Sequence, residues 1–445
     1  MNSNTEAIAS FVSELEYDDI PKEAVDRAKR QILDVIGVAL AGSTQQVGKL
    51  AARFVQKTGG TSDCTVWGTE LRTSPPQAGF VNGIFSHALD YDDRWLPGAH
   101  PTAVTFPATL AIAESLRSSG RKLIVAQMAG YEIMGKLQSC TGERGGWHPT
   151  CVFGTFGATA AVGKLLNLDP PKLRMAFGIA ASEASGLRVN IGTMTKPFHA
   201  GHGARNGVVA AMLAADGFSA NPNVFDTGFF EAFYHTHPSN DWQLTMFLGN
   251  PYHLINPGIG IKMYPSDGYL PLTFESTLKL VKQHNISVED VVSIIISVAR
   301  PDNFNRPTVQ TGLEAKFSHQ YLAALAVLDG KVTIESFADE RILAKDVQEL
   351  MTRISIRVDS SLPKNPDLRY HPVTIQLRDG KVVTGAQPLA RGHWRYPLER
   401  SEWLGKFRDN ATRVLTASSV ENIIELVDDL ENLDDVCVLT TVLRT

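Results

Sequence analysis

The sequence predicts a mainly α protein in which a large all-helical domain is followed by a smaller α+β domain. Two observations lead to this prediction. Apolar residues recur at three- and four-residue spacing through most of the first 250 residues, as in helices that pack on one another. After about residue 260, β-branched runs of strand length alternate with helical stretches. We place the domains at 1–260 and 261–395, and expect the helical tail 396–445 to pack back onto the first domain.

The helices of the first domain begin and end at recognisable signals. Pro21 suits the first turn of a helix, and the periodic pattern after it continues to Gly42. Asp169 and Pro170 open another helix, because Asp caps free N–H groups and proline needs no partner there. Small residues are frequent in several of the remaining helices, so we expect close helix packing. These helices are predicted at 77–87, 103–116, 122–137, 152–166 and 203–214.

The second domain is predicted from period-two patterns and a turn. Val291–Val298 is a β-branched run, and residues 354–358 alternate between apolar and polar. Residues 373–377 and 381–384 flank Asp379-Gly380, a pair that suits a tight hairpin turn. Helices are predicted at 270–283 and 317–328.

Composition and charge exclude several classes of protein. With 445 residues, 43% apolar and 20% charged, the chain has the composition of a folded globular protein. A net charge of −5 without any Lys/Arg block argues against nucleic acid or an anionic membrane as partner. No apolar run approaches the roughly 20 residues of a membrane helix. The N-terminus resembles neither a signal peptide nor a transit peptide, so we expect a cytoplasmic protein.

Motifs for metals, disulfides and cofactors are missing from the sequence. The four cysteines are too few and too scattered for a disulfide framework. They include no Cys-x-x-Cys pair, which argues against a zinc ribbon or an iron–sulfur cluster. His235 and His237 offer two metal ligands without a third nearby. We find no phosphate loop and no dinucleotide fingerprint. We therefore expect neither a metal nor a cofactor.

The polar residues of the first domain form three clusters next to helical segments. In the first, Asp90, Asp92 and Asp93 repel one another, so at least one should hold its proton more tightly or recruit a cation. Asp90 and His100 are its candidate site residues, and helix capping is the structural alternative. The second cluster contains His148, which fits a site or a core histidine equally well. The third is predicted to bind an anion near a helix N-terminus, with Lys196, His199, His202 and Arg205.

A fourth cluster lies where the two predicted domains join. It contains Lys262, Tyr264 and Asp267, and Tyr321 follows at the head of a helix. A solvated lysine and a core tyrosine are the structural alternatives here. Together the four clusters supply carboxylates, imidazoles, ammonium groups and a phenol. Such a set suits proton abstraction next to a carboxylate, where cations stabilise the dianion that develops.

These clusters resemble the MmgE/PrpD family in order and spacing along nearly the whole chain. The matching stretches are residues 87–95, 99–101, 146–149, 193–197 and 262–266. Family members include 2-methylcitrate dehydratase, iminodisuccinate epimerase and cis-aconitate decarboxylase, and the tail is most similar to the decarboxylases. The resemblance implies a large helical domain, an α+β lid domain, a homodimer and a metal-free site in the cleft between the domains.

The resemblance also implies roles for individual residues, which we complete with neighbouring charged groups. It implies catalytic roles for Asp90, His100, His148, Lys196 and Tyr321. Substrate binding is assigned to Arg94, Lys262, Asp267, His199 and Arg205. Asp90 or His100 is expected to remove the proton, and His148 or Tyr321 to return it, while Lys196, Lys262 and Arg94 hold carboxylates. The expected substrate is a small polycarboxylate.

Two of these positions depart from the decarboxylase pattern. Arg94 stands where the family usually carries Thr or Ser, and Asp267 stands where the decarboxylase has His. A guanidinium beside the departing carboxylate holds its charge in place and disfavours loss of CO₂. We therefore predict cis/trans isomerisation of aconitate. In the alternative, Arg94 pairs with Asp267 and the chain keeps a lyase activity, either cis-aconitate decarboxylation or 2-methylcitrate or citrate dehydration. A tricarboxylate-binding protein without catalysis is the third hypothesis.

Overall fold

A computed structural model of the chain describes residues 3–95, 98–141, 145–234, 244–365 and 368–445. The chain forms two compact units, the first from Met1–Ile259 and Arg400–Thr445 and the second from Gly260–Glu399. The described residues are mainly helical and include a small mixed sheet. The predicted fold class is thereby confirmed.

The first unit is almost entirely helical. Proline occupies the first turn of several of its helices, where it needs no hydrogen-bond partner. Its helices before the second unit are α1 (Asn4–Glu14), α2 (Lys22–Ser43), α3 (Gln46–Thr58), α4 (Pro75–His87), α5 (Pro101–Ser115), α6 (Gly120–Ser139), α7 (Pro149–Leu165), α8 (Pro170–Glu183), α9 (Thr195–Ala215) and α10 (Phe229–Tyr234). A short antiparallel pair, β1 (Cys64–Thr65) and β2 (Arg72–Thr73), lies between α3 and α4.

The second unit contains helices and a four-stranded sheet of order β4-β3-β5-β6. Its helices are α11 (Leu270–His284), α12 (Gly312–Ala315), α13 (His319–Leu328), α14 (Asp339–Ile342) and α15 (Lys345–Met351). Its strands are β3 (Val291–Val298), β4 (Ile354–Val358), β5 (Val373–Leu377) and β6 (Val382–Gly385). Strand β3 is parallel to β4 and antiparallel to β5, and β5 and β6 form the predicted hairpin. Apolar side chains such as Ile294 and Ile375 form the core beneath it.

The chain then returns to the first unit as three helices. These are α16 (Arg400–Ala411), α17 (Ala417–Asp428) and α18 (Cys437–Val442). Phe407 of α16 is fully buried, and its ring lies so close to Gly37 of α2 that a Cβ at Gly37 would meet it at 2.7 Å. The tail is therefore part of the core of the first unit.

Small residues allow the central helices to approach closely, as predicted. A Cβ at Gly157 of α7 would lie 2.8 Å from the carbonyl oxygen of Gly130 on α6. A Cβ at Gly207 of α9 would lie 2.4 Å from Cβ of Ala158. Because glycine has no side chain, the helix backbones pack directly on one another at these two positions.

One helix begins earlier than its sequence pattern predicts. We expected a helix at 203–214, with Lys196 and His199 ahead of it, but α9 starts at Thr195. The residues before 203 include a lysine, two histidines and a proline, which interrupt the apolar period although Pro197 is compatible with a first helical turn. Lys196 and His199 therefore lie on the helix itself.

Two further expectations concern cysteines and membranes. All four cysteines are free thiols. Within the described ranges, no helix combines the length and the apolar character that a bilayer crossing requires.

Candidate active site

The first unit brings three predicted site residues together with one unpredicted histidine at the ends of four helices. His87 is the last residue of α4, while His100 and His148 are the residues just before Pro101 of α5 and Pro149 of α7. Lys196 lies in the first turn of α9. All four side chains are buried. The N-termini of α5, α7 and α9 thus direct their partial positive charge toward one polar cluster.

His87 bridges a carboxylate and an ammonium group. Its Nδ1 lies 3.0 Å from both carboxylate oxygens of Asp92, and its Nε2 lies 3.0 Å from Nζ of Lys196. Because an ionised carboxylate only accepts hydrogen bonds, Nδ1 carries the proton and Nε2 accepts from the lysine. Burial lowers the pKa of His87, which keeps this imidazole neutral.

Lys196 also pairs with Asp90. Its Nζ donates to Oδ2 of Asp90 at 2.9 Å, and both side chains are buried. Asp90 follows α4 in a left-handed backbone conformation, with φ of 52°. Asp tolerates this region better than most residues, but such conformations persist only where the surroundings hold them. The conformation turns the Asp90 carboxylate toward Lys196 and His100.

His100 is oriented by two acceptors on one side of its ring. Its Nδ1 lies 2.8 Å from the backbone carbonyl of Asp93 and 3.1 Å from Oδ2 of Asp92. Both partners accept, so Nδ1 carries a proton and Nε2 of the neutral ring has a lone pair. Nε2 lies 3.9 Å from Oδ1 of Asp90. The contacts at Nδ1 therefore fix the tautomer in which Nε2 can act as a base.

The neighbouring carboxyls Asp92 and Asp93 are driven to opposite protonation states. Burial alone raises the pKa of Asp92, but the imidazoles of His87 and His100 outweigh it and hold that pKa well below its usual range. Burial and the negative charge of Asp92 raise the pKa of Asp93 well above its usual range. This direction agrees with the expectation that one carboxyl of the cluster holds its proton more tightly.

A second pair of imidazoles adjoins the cluster. Nδ1 of His148 lies 3.1 Å from Nδ1 of His199, so a single proton lies between the two rings. Burial lowers the pKa of His148 well below its usual range, and Lys196 adds to the effect. Burial also lowers the pKa of His199, to about 4. Both rings are therefore neutral near pH 7.

One group of side chains in the described part of the chain has the spacing of metal ligands. Ligand atoms of His87, Asp90, Asp92 and His100 lie within 4.8 Å of one another. Lys196, however, already places an ammonium within hydrogen-bond distance of Asp90 and His87. A metal ion on these ligands has to displace that ammonium or meet its charge. The residues present therefore favour lysine as the cation of this cluster.

Comparison with known proteins connects this geometry to a family. Residues 6–241 match the MmgE/PrpD N-terminal domain, and residues 264–432 match the MmgE/PrpD C-terminal domain. The chain belongs to the MmgE/PrpD family.

Relatives of this MmgE/PrpD chain carry the names of two activities. The chain is 32% identical to a cis-aconitate decarboxylase of Homo sapiens, with 100% of this chain and 95% of the relative covered. It is 26% identical to a cis-aconitate decarboxylase of Aspergillus terreus, covering 99% and 96%. It is 25% identical to a 2-methylcitrate dehydratase of Cupriavidus necator, covering 88% and 86%. The family resemblance predicted from the polar clusters is confirmed.

Two other predicted residues of the first unit are less buried than this cluster. Arg94 is half-buried, two residues beyond Asp92. Arg205 is exposed on α9, and its charge acts on His202 and Glu183. This position favours a surface role for Arg205 over the predicted substrate contact. His235 and His237 fall outside the described residues.

The second unit of the MmgE/PrpD chain contains three predicted residues. Lys262 is buried, and Asp267 is half-buried and accepts a hydrogen bond from the backbone N–H of Tyr269 at 2.9 Å. Tyr321 is fully buried in the core, and its hydroxyl donates a hydrogen bond to the carbonyl of Ser336. Burial raises the pKa of this phenol. These contacts favour the structural interpretation of Tyr321 over a role in proton transfer.

Two residues of the cluster, His87 and Asp92, were not predicted as site residues. His87 contacts Lys196, and Asp92 is shared by His87 and His100. The signal was present, because both residues stand in the motif that carries the family resemblance. Their spacing alone does not show which imidazole a carboxylate will hold.

Proposed function

We propose that this MmgE/PrpD chain is an acid–base enzyme that removes a proton next to a carboxylate of an aconitate-type tricarboxylate. The observation that carries the proposal is the His100 imidazole, whose Nδ1–H faces Asp92 and the Asp93 carbonyl, so that the lone pair of the ring is on Nε2. The substrate class is supported by relatives named for cis-aconitate and 2-methylcitrate.

His100 is the better candidate for the base than Asp90. The charge of Asp90 is already matched by Lys196 at 2.9 Å, which makes its carboxylate a weaker proton acceptor. His100 has the opposite setting, because the carboxylate of Asp92 behind it stabilises the imidazolium that forms when Nε2 takes a proton. Asp90, 3.9 Å from that Nε2, then stabilises the same cation from the front.

The dianion that forms after proton removal needs positive charge close by. Lys196 and the N-termini of α5, α7 and α9 supply it in the first unit. Arg94 and Lys262 are proposed to bind further carboxylates of the substrate. His148, neutral and buried, is proposed to return the proton at another carbon.

Isomerisation between cis- and trans-aconitate is our first candidate reaction. Arg94 supports it, since a guanidinium that binds a carboxylate opposes the loss of CO₂. The second candidate is a lyase, which the names of the relatives favour: decarboxylation to itaconate or dehydration of 2-methylcitrate or citrate. Isomerisation and dehydration both begin with proton removal, which we assign to His100. Decarboxylation instead breaks a C–C bond to release CO₂ and then needs a proton delivered to carbon, which the imidazolium of His100 can supply.

The products formed from cis-aconitate in D₂O decide between these reactions. We expect NMR spectra to show trans-aconitate that carries deuterium, without release of CO₂. Itaconate and CO₂ as the sole products contradict the isomerase and support the lyase. An unchanged spectrum with cis-aconitate, followed by turnover of 2-methylcitrate, supports the dehydratase. Saturable binding of all these acids without any turnover contradicts the enzyme.

A double variant tests the role given to the two departures from the decarboxylase pattern. Arg94→Thr combined with Asp267→His is expected to shift the products toward itaconate, because the carboxylate loses its guanidinium and the site gains an imidazole. The itaconate to trans-aconitate ratio from NMR measures the effect. An unchanged product ratio contradicts our interpretation of both positions. Arg205→Thr, which removes an exposed arginine of α9, is the control.

Two properties of the whole molecule belong to the proposal as well. We expect a homodimer, as the family resemblance implies, and a cytoplasmic location. Light scattering of the purified protein and fractionation of cells check these expectations.

A further inference from the structure

The tail helix α16 reaches the loop that carries the site carboxylates. Lys406 of this helix is buried, and its Nζ donates a hydrogen bond to the backbone carbonyl of Tyr91 at 2.7 Å. The same ammonium lies 4.1 Å from the centre of the Tyr91 ring. Tyr91 stands between Asp90 and Asp92. A lysine near the end of the chain thus contacts the middle of this loop, residues 88–95, which we call the carboxylate loop.

Lys406 is held in turn by a carboxylate from near the start of the chain. Its Nζ lies 2.7 Å from Oδ1 of Asp34 on α2, and the two side chains are only 1% and 2% exposed. A buried ion pair loses much of its attraction to desolvation, and apolar residues of similar size are often as stable. Stability alone therefore does not account for a charged pair here. The pair does provide a fixed N–H donor aimed at one backbone carbonyl.

The carboxylate loop needs such a donor because its backbone is not in a favourable conformation. Asp90 has φ of 52°, and a non-glycine residue stays in that region only where neighbouring groups hold it. The Tyr91 carbonyl belongs to the peptide that joins Tyr91 to Asp92. Fixing this peptide also fixes the directions in which Asp90 and Asp92 leave the backbone.

We propose that Lys406, held by Asp34, is a positioning residue for the acid–base cluster. By fixing the Tyr91 carbonyl, it maintains the contact of Asp90 with Lys196 and the contacts of Asp92 with His87 and His100. This positioning role rests on the proposed function, because the contacts that Lys406 maintains matter for catalysis only if His100 acts as the base.

The same tail offers a matched control in Lys29. This lysine of α2 is also buried, lies 2.6 Å from Oε2 of Glu431, and donates a hydrogen bond to the backbone carbonyl of Asp428. Lys29 and Lys406 therefore both form an ion pair between α2 and the tail, and each also donates to one backbone carbonyl. They differ in that only Lys406 binds the carboxylate loop.

The experiment compares Lys406→Met and Lys29→Met in the full-length protein. Methionine keeps the length and the apolar part of the side chain, so each variant loses the charge and the hydrogen bonds. We expect both variants to lose several degrees in Tm. Lys406→Met should lose about tenfold or more in kcat, since small misplacements of catalytic groups are costly, whereas KM changes less than about threefold. Lys29→Met should retain kcat within about twofold.

An NMR measurement separates a failure of this proposal from a failure of the proposed function. The imidazole resonances of His87 and His100 report their contacts with Asp92 whether or not the protein turns over cis-aconitate. They are expected to shift, with altered pH titration, in Lys406→Met but not in Lys29→Met. A parent protein that is inactive with cis-aconitate contradicts the proposed function, and this comparison still decides the role of Lys406.

Two results overturn the positioning role. One is a folded Lys406→Met that retains the parent's kcat and imidazole resonances. The other is a Lys29→Met that loses as much kcat as Lys406→Met, since the effect is then general to the tail. If Lys406→Met does not fold, Asp34→Asn takes its place, because it weakens the hold on Lys406 while it keeps the lysine.

Discussion

A single carboxylate fixes the protons of two imidazoles in this molecule. Asp92 accepts from Nδ1 of His87 and lies 3.1 Å from Nδ1 of His100. The first contact leaves Nε2 of His87 free to accept from Lys196, and the second leaves Nε2 of His100 as a base. The Asp93 carbonyl is a second acceptor for His100, but Asp92 contacts both rings and so affects both the cation and the base of the cluster.

Asp92→Asn is expected to lower kcat by about a hundredfold to ten-thousandfold with little change in KM. The amide has one acceptor oxygen and one N–H group, so it no longer offers a charged acceptor to both imidazoles. The Asp93 carbonyl still accepts from His100, so His87 is the ring expected to change its tautomer. Steady-state kinetics across pH measure the loss. Asp435→Asn, which alters a carboxylate paired with Arg117 and outside the cluster, is the control. A loss of less than about threefold in Asp92→Asn contradicts the proposed arrangement.

The pair of His148 and His199 leads to a second prediction for single residues. Removing the ring nitrogens in His199→Phe leaves the proton position on His148 undetermined, so kcat should fall about ten- to a hundredfold. His202→Phe is the matched control, because His202 lies one turn further along α9 and contacts Phe198 and Asn206 instead. Partial recovery in His199→Gln is expected. Equal kcat losses in the two phenylalanine variants contradict a specific role for His199.

Helix ends determine where the functional side chains lie. His100-Pro101 and His148-Pro149 each place an imidazole immediately before a helix whose first residue is proline.

In the second unit, a carboxyl of α11 binds the backbone of a segment that is distant in sequence. Its Glu275 accepts a hydrogen bond from the backbone N–H of Arg391 at 2.9 Å.

Glu275 predicts a pH dependence of stability. Burial raises its pKa to about 7, so the folded protein favours the neutral form. The stability contributed by this form is complete below the ordinary pKa of Glu and is lost as the pH rises through about 7. Glu275→Gln should therefore gain stability relative to the parent between pH 4 and pH 8, by about 2 to 3 kcal/mol.

Thermal melts of the parent and Glu275→Gln at both pH values provide the measurement. The exposed Glu289→Gln in the same unit controls for the change in net charge and should follow the parent at both pH values. If the difference in Tm between Glu275→Gln and the parent is the same at pH 4 and pH 8, the raised pKa of Glu275 is contradicted.

At the scale of the whole molecule, the first unit is completed only when the chain returns to it. Phe407 fills the space beside Gly37, and the backbone N–H of Gly120 donates to the carbonyl of Leu433 at 2.8 Å. Helices α2 and α6 therefore lack part of their packing until residues 400–445 are present.

Removal of residues 400–445 is expected to abolish cooperative unfolding of the first unit, because it exposes the apolar face of α2. Residues 260–399 form a unit with a core of its own, so the first unit does not depend on them for its packing. A chain in which a flexible linker replaces residues 260–399 should therefore still fold. Circular dichroism with thermal melts compares the two. A tail-deleted protein that unfolds cooperatively at the parent's Tm contradicts this prediction.

Local sequence patterns were sufficient to predict the regular helices and strands. They failed where polar site residues interrupt the apolar periodicity of a helix. The ends of Val291–Val298 and the hairpin around Asp379-Gly380 follow from residues next to one another in the chain. The start of α9 could not be predicted in this way, because polar site residues stand where the helical pattern expects apolar ones. The two-residue strands β1 and β2 are too short for a period, and Glu114, distant in sequence, binds the N–H of Thr65 beside them.

The helical and α+β parts, the family and the chemical character of the cluster could be predicted from the sequence, because periodicity, turns and motif residues are local properties. Three contacts became known only from the folded chain: Asp92 is shared by two imidazoles, Tyr321 donates to Ser336, and Lys406 reaches Tyr91. The role of an ionisable side chain depends on which acceptors and donors surround it after folding. Those partners come from distant parts of the chain, so no local pattern specifies them.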